Sequence, residues 1–260
     1  MSKERLVILD KNEDSSLISL NDEESFNSLS INLLNELFSV LKEADKDKST
    51  KTIILKGVGR GFSAGHNLKE IRENQDESFY RNLLGCSKKV MTALSSLNKP
   101  IIAEVHGVAT AAGCQLVAAC DLAYADTETR FATPGVNIGI FCHTPLVSVS
   151  RNIAKKHSME MLLLGEMIGA SDAKRFGLIN DIFEPGELHK NVTKIARTIG
   201  SKSSYILEIG KETFYKQLNM DIDEAYDYAT ERMIMNLKAD DAKEGVDAFV
   251  NKRNPKWKNS

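Results

Sequence analysis

The sequence predicts an α/β fold with a helical C-terminal region. Two runs, TIIL (Thr52–Leu55) and PIIAEV (Pro100–Val105), are nearly all apolar, as strands covered on both faces must be. Each is followed by a turn rich in glycine or alanine that opens a helix. From Pro185 onward the apolar residues recur mostly at helical spacing. In chain order, Leu6–Leu9 and Leu17–Leu20 read as strands separated by the polar turn DKNEDSS. NSLSINLLNELFSVLKEADKD has leucines and phenylalanine at helical spacing, with Ser28 or Ser30 as its cap. Phe79–Leu97 reads as an amphipathic helix between the two buried strands, and another helix opens near Ala112. DLAYA, from Asp121, and LINDIF (Leu178–Phe183) read as two further strands. Four helical segments complete the chain: GELHKNVTKIARTIGS, SYILEIGKETFYKQL, DEAYDYATERMIMNLK and DDAKEGVDAFVNKR. No linker rich in Gly, Ser or Pro interrupts this order. The division is therefore one of pattern, with residues 1–195 as the α/β core and 196–260 as the helical region.

Composition excludes several classes of function. With 42% hydrophobic residues, a formal charge of -2 and a pI near 6.2, the chain shows no electrostatic footprint for nucleic acid. Its basic end, KRNPKWKNS, reads as a frayed terminus beyond the last helix. No apolar run reaches the roughly 20 residues of a membrane span. The N-terminus, MSKERLVILDKNEDSS, lacks an apolar signal core and is too acidic for a transit peptide. Cys86, Cys114, Cys120 and Cys142 form no CxxC pair, which predicts reduced thiols in a cytoplasmic setting, or an organellar one if a leader has been removed. The 5 histidines show no metal-ligand spacing, so no metal is expected.

The chemistry concentrates in two turns. The first lies in KTIILKGVGRGFSAGHNLKEI, Lys51 to Ile71. A dinucleotide fingerprint G-x-G-x-x-G fails there, because the sixth position is Phe62 counted from Gly57 and Ala64 counted from Gly59. A phosphate-binding P-loop fails as well, since His66 and not lysine follows Gly65. Taken alone, the stretch reads equally as a tight turn. The second stretch, KPIIAEVHGVATAAGCQLVAACD, repeats the arrangement: a buried strand, small residues, then a helix start. Small residues admit close approach to the backbone, and helix N-termini present unpaired N–H groups. Two such turns can aim one N–H each at a single oxygen, which is the construction of an oxyanion hole.

GRGFSAGHNLKEI and HGVATAAGCQLVAACDLAYADTETRFATPGVNIG resemble the two signatures of the crotonase (enoyl-CoA hydratase/isomerase) superfamily. The similarity continues through GEMIGASDAKRFGLINDIFEPGEL to EGVDAFVNKR, nearly the whole chain. The resemblance implies a spiral of repeated ββα turns, a C-terminal helical region shared or swapped between subunits, and trimers or dimers of trimers. It implies acyl-CoA thioesters as substrates, with coenzyme A part of the substrate and no covalently bound cofactor. By position, the oxyanion donors are the N–H groups of His66 and Ala112, while Ala64, Asn67 and Leu68 line the adenine side of the CoA site. Phe249 and Lys252 close a CoA site, their own or a neighbour's. Met159, Met161 and Met167 are expected to fill gaps in the core or the acyl pocket.

The departures from the family bear on the reaction. Hydratases of the family carry two glutamates where this chain has Gln115 and Gly135. Hydration requires one group to take a proton from water and another to deliver one to Cα, and neither an amide nor a glycine does so. The family's triple glycine is Ala111, Ala112 and Gly113 here, and Glu24 stands where many members place a basic residue near the CoA phosphates. His143, in IFCHTP, is the candidate proton shuttle, set against a plain solvent-facing loop histidine. Gln115 is expected to hold a substrate carboxylate or a water. The expected function is that of an acyl-CoA enzyme, with isomerase, decarboxylase or hydrolase chemistry favoured over ordinary hydration. The alternatives are a catalytically silent acyl-CoA-binding or regulatory protein and a residual enoyl-CoA hydratase.

Overall fold

The computed structural model describes residues 5–12 and 15–260. The start of the N-terminal reading (residues 1–4) and residues 13–14 of the first polar turn lie outside the described residues. Nine strands form two sheets: β1 (Val7–Lys11), β2 (Ser15–Leu20), β3 (Thr52–Gly57), β4 (Ile101–Val105), β5 (Val108–Thr110), β6 (Leu122–Asp126), β7 (Arg130–Ala132), β8 (Ile168–Gly169) and β9 (Asp181–Phe183), among the described residues. The large sheet runs β1-β2-β3-β4-β6-β9, parallel throughout except for the β1–β2 pair. A small sheet, β5-β7-β8, lies beside it.

Helices α1 (Ile31–Lys46), α2 (Leu68–Glu73), α3 (Glu77–Ser96), α4 (Ala112–Ala119), α5 (Pro145–Asn152), α6 (Lys155–Leu164) and α7 (Ala170–Phe176) connect the strands. Four more follow: α8 (Leu188–Gly200), α9 (Ser204–Gln217), α10 (Ile222–Lys238) and α11 (Asp240–Val250). Ser30, not Ser28, caps α1 by accepting from Leu33 N. The apolar run of β3 has the cause read from the sequence. Ile53 and Leu55 enter the main core, whereas Ile54, facing the other way, joins Ile102 beneath Leu188, Val192 and Ala196 of α8.

The repeating unit is ββα. β4 pairs in the large sheet, the chain steps into β5 of the small sheet, and α4 follows; β6, β7 and α5 repeat the path. Sequence patterning missed β5, β7 and β8 because strands of two or three residues are too short to show a period. This spiral places the ends of β3 and β5 side by side.

Two expectations are corrected. The end of the chain is not frayed: the buried Asp241 carboxylate accepts from the Lys258 and Asn259 N–H groups at 2.6 and 2.8 Å, and Trp257 Nε1 donates to Ser201 O. A buried carboxylate requires donors, and the tail supplies them. Of the methionines, Met161 is a core residue, but Met159 and Met167 are exposed. No described helix is long and apolar enough to cross a membrane.

Candidate active site

The first turn is held open by side chains that bond backbone. Asn27, buried, donates from Nδ2 to Val58 O and Gly61 O, each at 2.9 Å. Ser63 Oγ donates to Asn27 O at 2.8 Å and accepts from Gly65 N at 3.2 Å. The second turn is tied to the first: Thr110 N donates to Ser63 O, and Thr110 Oγ1 to Ala64 O, both at 3.0 Å. Gly65 sits where they touch, at φ +89°. A Cβ there would lie 2.8 Å from Thr110 O and 3.0 Å from Ala112 N, so only glycine fits. Ala111, at φ 49° and ψ −117°, turns the chain so that Ala112 begins α4.

The consequence is chemical. Among the hydrogen bonds of the described residues, neither the His66 N–H nor the Ala112 N–H is a donor. The Ala112 N–H also lies at the N-terminus of α4, where the helix dipole favours negative charge. Both residues line one cavity of about 560 Å³.

Ala64, Leu68 and His143 line the same cavity. Its lining is mostly apolar and includes Tyr80 and Leu84 of α3 with Ile138, Ile140 and Phe141 of the loop before α5, besides the polar Asn137 and Thr144. No lysine, arginine, aspartate or glutamate contributes to the lining. The His66 ring Nε2 is buried without a partner, and burial pushes the imidazole down to about 4, so it is neutral near pH 7. Burial pushes the Cys142 thiol up, which leaves it without thiolate character despite its place beside His143. The His143 ring packs against Phe141 at a centroid distance of 5.3 Å.

The remaining sequence candidates stand elsewhere. Gln115, one turn beyond Ala112 on α4, is only 5% exposed, its Oε1 has no partner, and it does not line the cavity. Asn67 caps α2, accepting from Lys69 N at 3.0 Å and Glu70 N at 3.3 Å. Phe249 on α11 and Lys252 just after it are exposed and outside the cavity of their own chain. Gly135 lines the cavity, but a Cβ there would lie 2.2 Å from Ile140 O and 3.0 Å from Cys142 Sγ. The loop is folded onto that glycine. Asn27, Ser63 and Thr110 escaped the sequence reading, although asparagine and hydroxyl residues beside tight turns are a recognisable signal.

Two sheets joined by ββα turns, with unengaged N–H groups on two residues that line one mostly apolar cavity, define the class. The sequence model of the family described as enoyl-CoA hydratase/isomerase matches residues 10–260, and the chain belongs to that family. It is 42% identical over 231 residues to "Enoyl-CoA hydratase domain-containing protein 3, mitochondrial" of Rattus norvegicus, covering 89% of this chain and 77% of that protein. The crystal structure of human enoyl coenzyme A hydratase domain-containing protein 3 superposes with a TM-score of 0.95 at 40% identity, covering 97% of this chain and 100% of that one. A crystal structure of an enoyl-CoA hydratase from Mycobacterium smegmatis has a TM-score of 0.95 at 41% identity, covering 98% and 99% respectively.

Proposed function

We propose that the protein binds acyl-CoA thioesters and polarises the thioester carbonyl through the main-chain N–H groups of His66 and Ala112. The observation that carries this reading is the pair of unengaged donors on two interlocked turns that line one cavity. Negative charge developing on the thioester oxygen gains about 3 kcal/mol from each well-placed donor. An enolate or a tetrahedral intermediate is stabilised equally by that arrangement. Isomerisation, decarboxylation and hydrolysis therefore fit better than hydration, for which the cavity lining offers no carboxylate. His143, the exposed imidazole of the lining, is the proton shuttle in this reading. Gln115, buried on the donor helix with its Oε1 unpartnered, holds a water behind the cavity lining in this reading.

Ala64 and Leu68 contribute to the CoA site, with Asn67 shaping the start of α2 beneath it. Exposed apolar residues on the C-terminal helices, among them Ile222, Tyr226, Phe249 and Val250, support a trimer or dimer of trimers. In such an assembly Phe249 and Lys252 close a neighbour's site, and residues 196–260 form an oligomerisation region on the core of residues 1–195. The relatives' mitochondrial designation supports an organellar setting over a cytoplasmic one.

A second reading is a protein that holds acyl-CoA without turning it over. Gln115 and the sealed Gly135 favour it, and a residual hydratase is the weakest of the three readings. Mass spectrometry of a mixed acyl-CoA panel after incubation separates them. Release of CoA, loss of carbon dioxide, or a displaced double bond located by chromatography supports the favoured enzyme; rapid gain of water supports the hydratase instead. Unchanged esters that remain bound support the silent binder.

A further inference from the structure

We propose that the acyl half of this cavity selects uncharged hydrocarbon chains and rejects acyl groups that end in a carboxylate. The inference rests on the reading of the cavity as an acyl-CoA site and narrows it. Its basis is the lining, which contains no lysine, arginine, aspartate or glutamate. A carboxylate drawn out of water requires a cation or several convergent donors in exchange. In that reading the two N–H donors are committed to the thioester oxygen. His66 does not supply a counter-charge near neutral pH, because burial keeps its imidazole neutral. His143 lies in an exposed loop against Phe141.

The walls provide the complementary half of the argument. Leu84, Ile138 and Ile140 line the cavity and are all exposed to solvent at 42% or more. They come from two separate parts of the chain, α3 and the loop before α5. An apolar chain seated between them removes both surfaces from water at once, and each added methylene increases the gain. Among the reactions consistent with the donors, this places decarboxylation of a carboxylated acyl group behind isomerisation or hydrolysis of a plain chain.

Calorimetric titration of the intact protein with CoA, butyryl-CoA, decanoyl-CoA and decanedioyl-CoA tests the selection. Decanoyl-CoA is expected to bind at least about tenfold more tightly than either butyryl-CoA or decanedioyl-CoA. Equal affinity for the two ten-carbon esters, or affinity that does not rise with chain length, overturns the proposal. If neither CoA nor any ester binds, the acyl-CoA reading itself fails, which is a different result. Ile140→Arg adds a cation to an exposed wall position and is expected to raise decanedioyl-CoA affinity relative to decanoyl-CoA by at least about fivefold. A ratio unmoved by that substitution overturns the assignment of the selection to this wall.

Discussion

Gly135 shows how one residue decides what chemistry a familiar scaffold can run. Its missing side chain is a structural necessity, since a Cβ would meet the Ile140 carbonyl at 2.2 Å. Gly135→Glu, alone or with Gln115→Glu, is therefore expected to lower stability by about 2 kcal/mol through overpacking and to confer no hydratase activity. Thermal melting and an enoyl-CoA hydration assay check both halves of that expectation. His66 gives a prediction in pH. Its imidazole titrates at the ordinary 6.5 when unfolded and at about 4 when folded, so the unfolded chain takes up the proton first as pH falls. Stability is thus full above 6.5 and declines toward 4, by up to about 3 kcal/mol. His66→Leu should flatten that slope in denaturant titrations across the interval; an unchanged slope would contradict the burial argument. The absence of glutamates at 115 and 135 was legible in the sequence, because it depends only on residue identity. The seal over Gly135 was not, because it depends on where Ile140 turns its carbonyl.

At the scale of elements, what was legible followed the length of the pattern. The apolar runs of β3 and β4 and the long C-terminal helices declared themselves through periodicity, and α4 begins at Ala112 as the small-residue turn indicated. The small sheet escaped, although it is what carries α4 to the first turn, through Thr110 N bonding to Ser63 O. The tail escaped for a related reason: its partner, Asp241, is a surface-type residue whose burial arises from tertiary packing. The docking of α9 has a comparable origin. Lys211 Nζ donates to Asp121 Oδ2 at 2.6 Å and to the Leu94 and Lys99 carbonyls at 2.8 and 2.9 Å, well away from solvent. Tyr215 OH donates to the other Asp121 oxygen at 2.8 Å. Lys211→Met leaves the largely buried Asp121 carboxylate without its cation and should cost about 3 kcal/mol in chemical denaturation. A loss below about 1 kcal/mol would mean that α9 docks by apolar contact alone.

For the molecule as a whole, the two sheets, the interlocked turns and the uncharged cavity form one device. The sheets fix where two backbone N–H groups lie, the glycine at 65 fits where a Cβ would meet Ala112 N, and the cavity lining carries no lysine, arginine, aspartate or glutamate. On the proposed function, chemistry on a thioester depends on main-chain geometry, with Gln115 and Gly135 in place of carboxylates. In the proposed reading, that separation lets a chain keep the family's fold while favouring a reaction other than hydration. The most direct test is isotope-edited infrared spectroscopy of a carbonyl-labelled decanoyl-CoA bound to the protein. Two N–H donors on the thioester oxygen predict a carbonyl stretch shifted to lower frequency than in water. A bound ester whose carbonyl stretch matches or exceeds the solution value would contradict the account.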